Sequence, residues 1–128
     1  MSGENGEIVR RVNVAFAARD TEAVLGLNHP NVEVVVLRSA IEEPYLGHEG
    51  VRRAAEAFDT ADLQLNIDEV RDCGDDRVLV LGQQHSVIEG VPFDRGIYVV
   101  FQIEARKVRR CQAYSTKDEA LQAAGLRE

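Results

Sequence analysis

Apolar residues in the first part of the chain recur every three or four positions, the spacing of a helix with one buried face. This spacing predicts a helix over Glu7–Arg19. Asp20 can then cap a second short helix, Thr21–Leu27, by accepting hydrogen bonds from the free N–H groups of its first turn. A third helix is predicted over Glu49–Asp59. The polar segment 1–6 is expected to be frayed.

Most of the remaining chain alternates or runs on in β-branched and other apolar residues, which is typical of strands. The predicted strands are Val32–Leu37, a strand starting at Leu63, Arg77–Ile88, Val91–Ile103 and Lys107–Thr116. The segment 28–31 reads as a loop because Pro30 disfavours regular structure around it. Alternation slips beside Asp68 and Glu69, which predicts a β-bulge that bends the strand. The segment 89–90 ends in glycine and predicts a tight hairpin turn.

Two apolar runs, 78–81 and 97–101, are hydrophobic on both faces of their strands. Thr116 and Glu119 have capping-box spacing, which predicts a short final helix that Gly125 can end and that acts as a lid or flank. The predicted helices are few and can shield only one side of the sheet. We therefore expect a second copy of the chain on the other side, as a homodimer through the sheet.

These elements predict one α+β domain over residues 1–128. Fifteen Lys and Arg residues against 22 Asp and Glu give a net charge of -7, the wrong sign for a nucleic-acid partner. No apolar run approaches the length of a membrane span. The polar, acidic start lacks the features of a signal peptide. We therefore expect a soluble, cytoplasmic protein with no membrane partner.

The residues that most often hold metals are scattered. Cys73 and Cys111 are far apart and fit neither a metal-binding pair nor a disulfide framework. Cys111 has no evident neighbouring base and is interpreted as a small packing group rather than a nucleophile. His29, His48 and His85 show no ligand spacing. We predict no metal and no cofactor.

Four segments carry a resemblance to a known family, and they cover the ends and starts of predicted helices and the entry to the first strand. They are residues 16–20, 29–32, 45–53 and 119–126. In these segments the chain resembles the SnoaL-like branch of the nuclear transport factor 2-like superfamily. The resemblance implies a cone-shaped, curved, mixed but mostly antiparallel sheet, covered by N-terminal helices and a short C-terminal helix, around an apolar cavity. This scaffold serves isomerases, cyclases, epoxide hydrolases and binding modules, so it leaves the reaction open.

The ketosteroid isomerases of this superfamily need an Asp base and an oxyanion hole made of a Tyr and a protonated Asp. Their pattern, laid along this chain, places those three positions on Val12, Val36 and Val99. A valine can neither accept a proton nor stabilise an enolate, so isomerisation by that mechanism is excluded. The acid relay of the epoxide hydrolases finds no match in the late strands, and the acid-base residue of the SnoaL-type cyclases is not matched to a position.

The same resemblance, with strand alternation, places eleven residues on the cavity side. They are Val12, Phe16, Val36, Phe58, Val80, Gly82, Gln84, Ser86, Val99, Phe101 and Cys111. Gln84 and Ser86 are either polar handles for a ligand or bond backbone and water in a filled core. His85 turns outward, toward a polar contact in the dimer, unless the register slips by one residue. Tyr45 and His48, at the expected cavity edge, either contact a ligand or tie down their loop.

The sequence thus predicts a SnoaL-like protein that binds a small apolar molecule in an internal pocket. It would act as a carrier or as a cofactor-free enzyme of cyclase, isomerase or hydrolase type that lacks the ketosteroid isomerase residues. The alternative is a non-catalytic dimeric interaction module, in which the sheet carries the role.

Overall fold

The computed structural model describes residues 2–36, 43–60 and 62–126. Its elements in chain order are α1 (Ser2–Ala17), α2 (Thr21–Gly26), β1 (Asn28–Val35), β2 (Tyr45–Leu46), α3 (Gly47–Thr60), β3 (Gln64–Asp72), β4 (Arg77–Ile88), β5 (Val91–Glu104), β6 (Lys107–Tyr114) and α4 (Lys117–Ala123). Leu37, the predicted end of the first strand, lies outside the described residues.

The strands form one mixed sheet in the order β2-β1-β6-β5-β4-β3. Only β1 and β6 are parallel among these neighbours, and the other four pairs are antiparallel. The pairing of β3 with β4 shifts between Ile67 and Glu69, so Asp68 forms the predicted bulge. The α+β architecture with a mostly antiparallel sheet is therefore confirmed.

Two tight turns join the last three strands. Glu89 and Gly90, between β4 and β5, both have positive φ angles (53° and 81°), as a two-residue hairpin turn of the favoured hand requires. The turn between β5 and β6 has the same form at Ala105 (φ 52°) and Arg106 (φ 65°), although it contains no glycine. The predicted turn at 89–90 is confirmed.

Two boundaries predicted from the sequence are wrong, and tertiary contacts explain both. Helix α1 begins at Ser2 instead of Glu7. Its first turns are held to distant turns of the sheet, since Glu4 Oε1 lies 2.9 Å from Arg106 Nε and Asn5 Nδ2 donates to Asp76 Oδ1 at 3.1 Å. The segment expected to be frayed is therefore helical from Ser2 onward.

The predicted loop 28–31 belongs to strand β1. Asn28 is buried, its Nδ2 donates to the carbonyl of Val24 at 2.7 Å, and its backbone pairs with Val108 on β6. Pro30 is tolerated because the pairing with β6 is interrupted between Asn28 and Glu33.

The inner face of the sheet carries the main core, together with helices α1, α2 and α3. Its buried members are Ile8, Val9, Val12, Ala15, Val24, Leu25, Val32, Val51, Val78, Val80, Phe101, Ile103 and Val108. Arg52, Arg53 and Glu56 on α3 are exposed, as the helical pattern predicts. Within the described residues, no helix combines the length and apolar character needed to cross a membrane.

Helix α4 covers the outer face of the same strands. Leu79, Leu81 and Val100 form a second core there with Ala120 and Leu121 of α4. The expectation that the helices shield only one side of the sheet is therefore wrong. The capped C-terminal helix supplies the cover that was assigned to a second copy, and the homodimer stays a prediction.

Candidate functional site

The inner face of the sheet and helices α1–α3 surround a cavity of about 550 Å³. This volume falls within the range of small-molecule sites. The cavity exists because β3 bends at its bulge, while the three helices stand over the concave side of the sheet. A bent sheet roofed by helices leaves a hollow that its side chains only partly fill.

Side chains on the inner face line up in rows across the strands, and four rows can be followed from floor to rim. They are Val34–Cys111–Phe101–Val78, then Ala113–Val99–Val80, then Ile97–Gly82–Ile67, and last Arg95–Gln84–Leu65. Phe101 and Val80 are buried, Val99 is half-buried and Arg95 is exposed. The surface therefore changes from apolar and buried at the floor to polar and solvated at the rim.

Nine of the eleven residues expected at the cavity border it. They are Val12, Phe16, Val36, Phe58, Val80, Gln84, Val99, Phe101 and Cys111. Phe16 and Phe58 meet edge to face, with ring centroids 5.4 Å apart, and join α1 to α3 above the hollow. Val12, Val36 and Val99 thus border one hollow, and their contact with a ligand stays a prediction.

The other two of the eleven do not border the cavity. A Cβ on Gly82 would lie 2.2 Å from the carbonyl oxygen of Asn66, because the bent strand β3 passes directly over it. Ser86 is 3% exposed, and its Oγ donates to the carbonyl of Phe93 at 3.5 Å. Ser86 thus bonds backbone, the second of its two predicted roles, and Gln84 alone remains as a polar handle.

Tyr45 and His48 also lie away from the cavity. His48 borders a separate hollow of about 320 Å³, where its Nε2 lies 3.0 Å from the carbonyl oxygen of Asn28. Tyr45 pairs with Val34 on the edge strand, and its backbone packs against Gly50. Both residues tie down the connector, which is the second of the two roles predicted for them.

His85 lies on the outer face of β4, the direction that alternation predicts. Its Nδ1 is hydrogen-bonded to Oδ1 of Asp94, the residue opposite it on β5. The Asp94 side chain is exposed and that of His85 is half-buried. An imidazole in this position cannot reach a molecule inside the cavity, so His85 is not a candidate base for it.

Sequence reasoning missed the charged residues at the cavity opening. Arg19 borders the cavity, and its Nε lies 3.4 Å from Asp59 Oδ1 while its Nη2 donates to the carbonyl of Leu63 at 2.9 Å. Arg52 pairs with Glu22 at 3.4 Å. Residues two apart in a strand lie on the same face, so the position of Ile97 on the inner face could have placed Arg95 there as well.

The carboxylates that border the cavity all come from helices or helix caps and are exposed. They are Asp20, Glu56 and Asp59. Asp20 caps α2 by accepting from the N–H of Ala23 at 3.2 Å, and Asp59 pairs with Arg19. In the described part of the chain, no carboxylate of the sheet borders the cavity, since Asp72, which lies opposite Val78 at the end of the first row, does not reach it. The floor can bury an apolar group but offers it no general base.

Two polar groups next to the cavity are unusual. Burial raises the pKa of the Cys111 thiol to about 12, so the group stays protonated and is a poor nucleophile at neutral pH. Nδ2 of Asn13 on α1 is buried and finds no hydrogen-bond acceptor in the described part of the chain. An unpaired buried donor is costly for the folded protein.

No set of three or more His, Cys, Asp or Glu side chains is arranged to hold a metal ion within residues 2–36, 43–60 and 62–126. The site that the geometry defines is therefore the apolar cavity with its charged opening.

No protein-family model matches the sequence, and no curated protein matches it. The fold, however, is shared with many solved structures. An NTF2-like protein of unknown function from Burkholderia pseudomallei is 22% identical, with 95% of this chain and 97% of that one covered and a TM-score of 0.78. TerC, co-crystallised with polyporic acid, is 21% identical, with 95% and 98% covered and a TM-score of 0.76.

A protein from Sinorhizobium meliloti, provisionally named a polyketide cyclase, is 19% identical, with 84% of this chain and 94% of that one covered and a TM-score of 0.70. At such identities the likeness concerns the fold. It extends over nearly all of this chain. The chain therefore has the NTF2-like fold, also known as the ketosteroid isomerase-like fold.

Proposed function

We propose that this chain is a SnoaL-like protein that binds a small apolar molecule in the cavity. The observation that carries the proposal is the 550 Å³ hollow whose floor is formed by valines, Phe101 and a protonated thiol. Apolar surface of this kind gains free energy by leaving water, at roughly 25 cal/mol per Å² buried on each side. A ligand of matching shape therefore binds without a metal or cofactor.

The proposal places binding before chemistry. The resemblance places the reacting groups of the ketosteroid isomerases on Val12, Val36 and Val99, which border the cavity, and a valine is no proton acceptor. Any catalysis of cyclase, isomerase or hydrolase type would have to use groups at the opening. Support for the ligand class comes from TerC, crystallised with polyporic acid, and from the provisional polyketide cyclase, which share the fold.

The test is a titration with N-phenyl-1-naphthylamine, a neutral apolar probe that becomes fluorescent on leaving water. We expect saturable binding by the native protein. Val99→Phe narrows the cavity from the sheet side and should weaken binding at least about tenfold, or 1.4 kcal/mol. Val14→Phe adds the same ring on the exposed face of α1, where Val14 is 70% exposed, and should leave the affinity unchanged. Absence of saturable binding by the native chain would refute the proposal.

The second candidate is the dimeric interaction module. It is favoured by Val91 and Phe93, which are 61% and 49% exposed at the free end of the β4–β5 hairpin. Sedimentation at micromolar concentration tests it, since a self-associating surface there should give a dimer that Phe93→Ser dissociates. A monomeric native chain would remove this candidate.

A further inference from the structure

The rim row of the sheet holds the one cavity-lining arginine that has no partner within the described residues. Arg95 lies across from Gln84, which in turn lies across from Leu65, and both Arg95 and Gln84 border the cavity. No hydrogen bond or ion pair of the Arg95 side chain occurs in the described part of the chain. The neighbouring Asp94 projects from the opposite face, where it bonds His85.

The other two arginines at the opening are already engaged. Arg19 pairs with Asp59 and donates to a backbone carbonyl, and Arg52 pairs with Glu22. Both guanidinium groups therefore fix helices in place. Arg95 differs because its five donors are available to a molecule entering the cavity.

Negative charge near Arg95 is sparse, although the whole chain has a net charge of -7. No carboxylate of the sheet borders the cavity in the described residues, and Asp20 and Asp59 are used by a helix cap and an ion pair. Glu56 is the remaining lining charge without an ion pair in the described part of the chain, and it is exposed on α3. Among the described residues, a cation without a partner thus stands on the sheet side of the opening and an anion without an ion pair on the helix side.

We infer that the cavity selects amphipathic anions, whose apolar body enters the hollow while a carboxylate or similar group stays at the rim on Arg95. This inference rests on the proposed function and names its ligand class. A guanidinium fork fits a carboxylate or sulfonate through two parallel hydrogen bonds. Because the rim is solvated, the anionic group keeps part of its hydration when the ligand binds, so its desolvation costs little free energy.

Gln84 adds a second polar group beside the guanidinium. Its amide is half-buried one strand away from Arg95 and can donate to the same anionic group. The row beneath holds Ile97 and Ile67, so an oxygen placed deeper would lose its hydrogen bonds to water. This step in polarity orients the ligand with its charge outward.

The experiment compares two probes of nearly the same shape. N-phenyl-1-naphthylamine is neutral, and 8-anilinonaphthalene-1-sulfonate carries an added sulfonate. We expect the native protein to prefer the sulfonate by about fivefold, near the upper end for an exposed charge pair, with a preference that falls as salt is added. Arg95→Met should abolish the preference, so that the ratio of the two affinities falls about fivefold.

Arg53→Met is the matched control. Arg53 is exposed on α3 and does not border the cavity, and its substitution removes the same positive charge from the protein. It should leave the ratio of the two affinities as it is in the native chain, and Arg95→Lys should restore part of the preference lost in Arg95→Met. Each probe should displace the other from the native protein.

The outcomes separate this inference from the proposed function. Binding of the neutral probe with no preference for the sulfonate, or an unchanged preference in Arg95→Met, would overturn the inference and leave the cavity proposal standing. A preference for a probe of the same shape that carries an ammonium group in place of the sulfonate would also overturn the inference and point to Glu56. Failure of both probes to bind would overturn the proposed function itself.

Discussion

Gly82 is the position at which the curvature of the sheet leaves no room for a side chain. It lies opposite Ile67 on β3, next to the bulge at Asp68. A Cβ on Gly82 would be 2.2 Å from the Asn66 carbonyl oxygen and 3.1 Å from the Ile67 Cα. Both atoms belong to the backbone, so neither can rotate away. Gly82→Ala must therefore push β3 outward and strain the bend that forms the cavity.

The magnitude follows from two opposing terms. Overpacking against a fixed neighbour costs about 3 kcal/mol, at the upper end of the usual range. Replacing glycine by alanine in a strand returns about 0.7 kcal/mol through the lower entropy of the unfolded chain. The net loss in the free energy of unfolding is about 2 kcal/mol. For a chain of this length that lowers Tm by roughly 8 °C.

Gly96 provides the matched control on the neighbouring strand. Its added Cβ would lie 2.4 Å from Tyr98 Oη, almost as close, but the contact is with the far end of a side chain that can rotate. Gly96→Ala should therefore change the unfolding free energy by less than about 1 kcal/mol. Urea denaturation followed by circular dichroism measures both variants. Equal losses in the two would refute the reasoning that backbone contact, rather than distance alone, decides the cost.

Three further predictions concern single groups. The folded Cys111 thiol keeps its proton to about pH 12, whereas an unfolded thiol loses it near pH 9. The free energy of unfolding should therefore fall by about 1.4 kcal/mol per pH unit between these two values. Denaturation of Cys111→Ala at the same pH values should lack this slope. Thr116→Ala removes the N-cap of α4 and should cost about 1 kcal/mol. It should also raise the pKa of Glu119, which hydrogen bonds from Ser115 and Thr116 now lower, and an unchanged NMR titration would contradict this. Asn13→Leu removes an unsatisfied buried donor and should raise the unfolding free energy by about 1 kcal/mol, whereas a loss of stability would show that the amide has a partner.

Features that depend on a few neighbouring residues could be predicted from the sequence. The bulge at Asp68 follows from a change in the parity of apolar residues, and the turn at Gly90 from the one residue type that adopts a positive φ at no cost. The cap at Thr116 follows from the reach of a hydroxyl to the N–H three residues on, which the structure places at 3.2 Å. Each is decided within one turn or one strand pair.

Features that depend on distant partners could not be predicted. Helix α4 was recognised as a helix, but its docking over Leu79 and Leu81 depends on how the sheet turns after β6. Alternation places Gly82 on the cavity face of β4, but it does not show that the backbone of β3 passes directly over this residue. The extension of α1 to Ser2 depends on the contacts of Glu4 with Arg106 and of Asn5 with Asp76, and even the nearer pair is 71 residues apart in sequence.

Strand alternation is also what divides the site into parts with different chemistry. From floor to rim, the inner positions of β5 are Phe101, Val99, Ile97 and Arg95. One strand therefore supplies both apolar lining and the arginine that has no partner in the described residues. A base at the floor would have to replace one of these apolar residues and would meet the same desolvation that keeps Cys111 protonated. We therefore propose that the polar group of a ligand is recognised at the opening, where charges stay solvated, and that selection at the rim accompanies binding in the hollow.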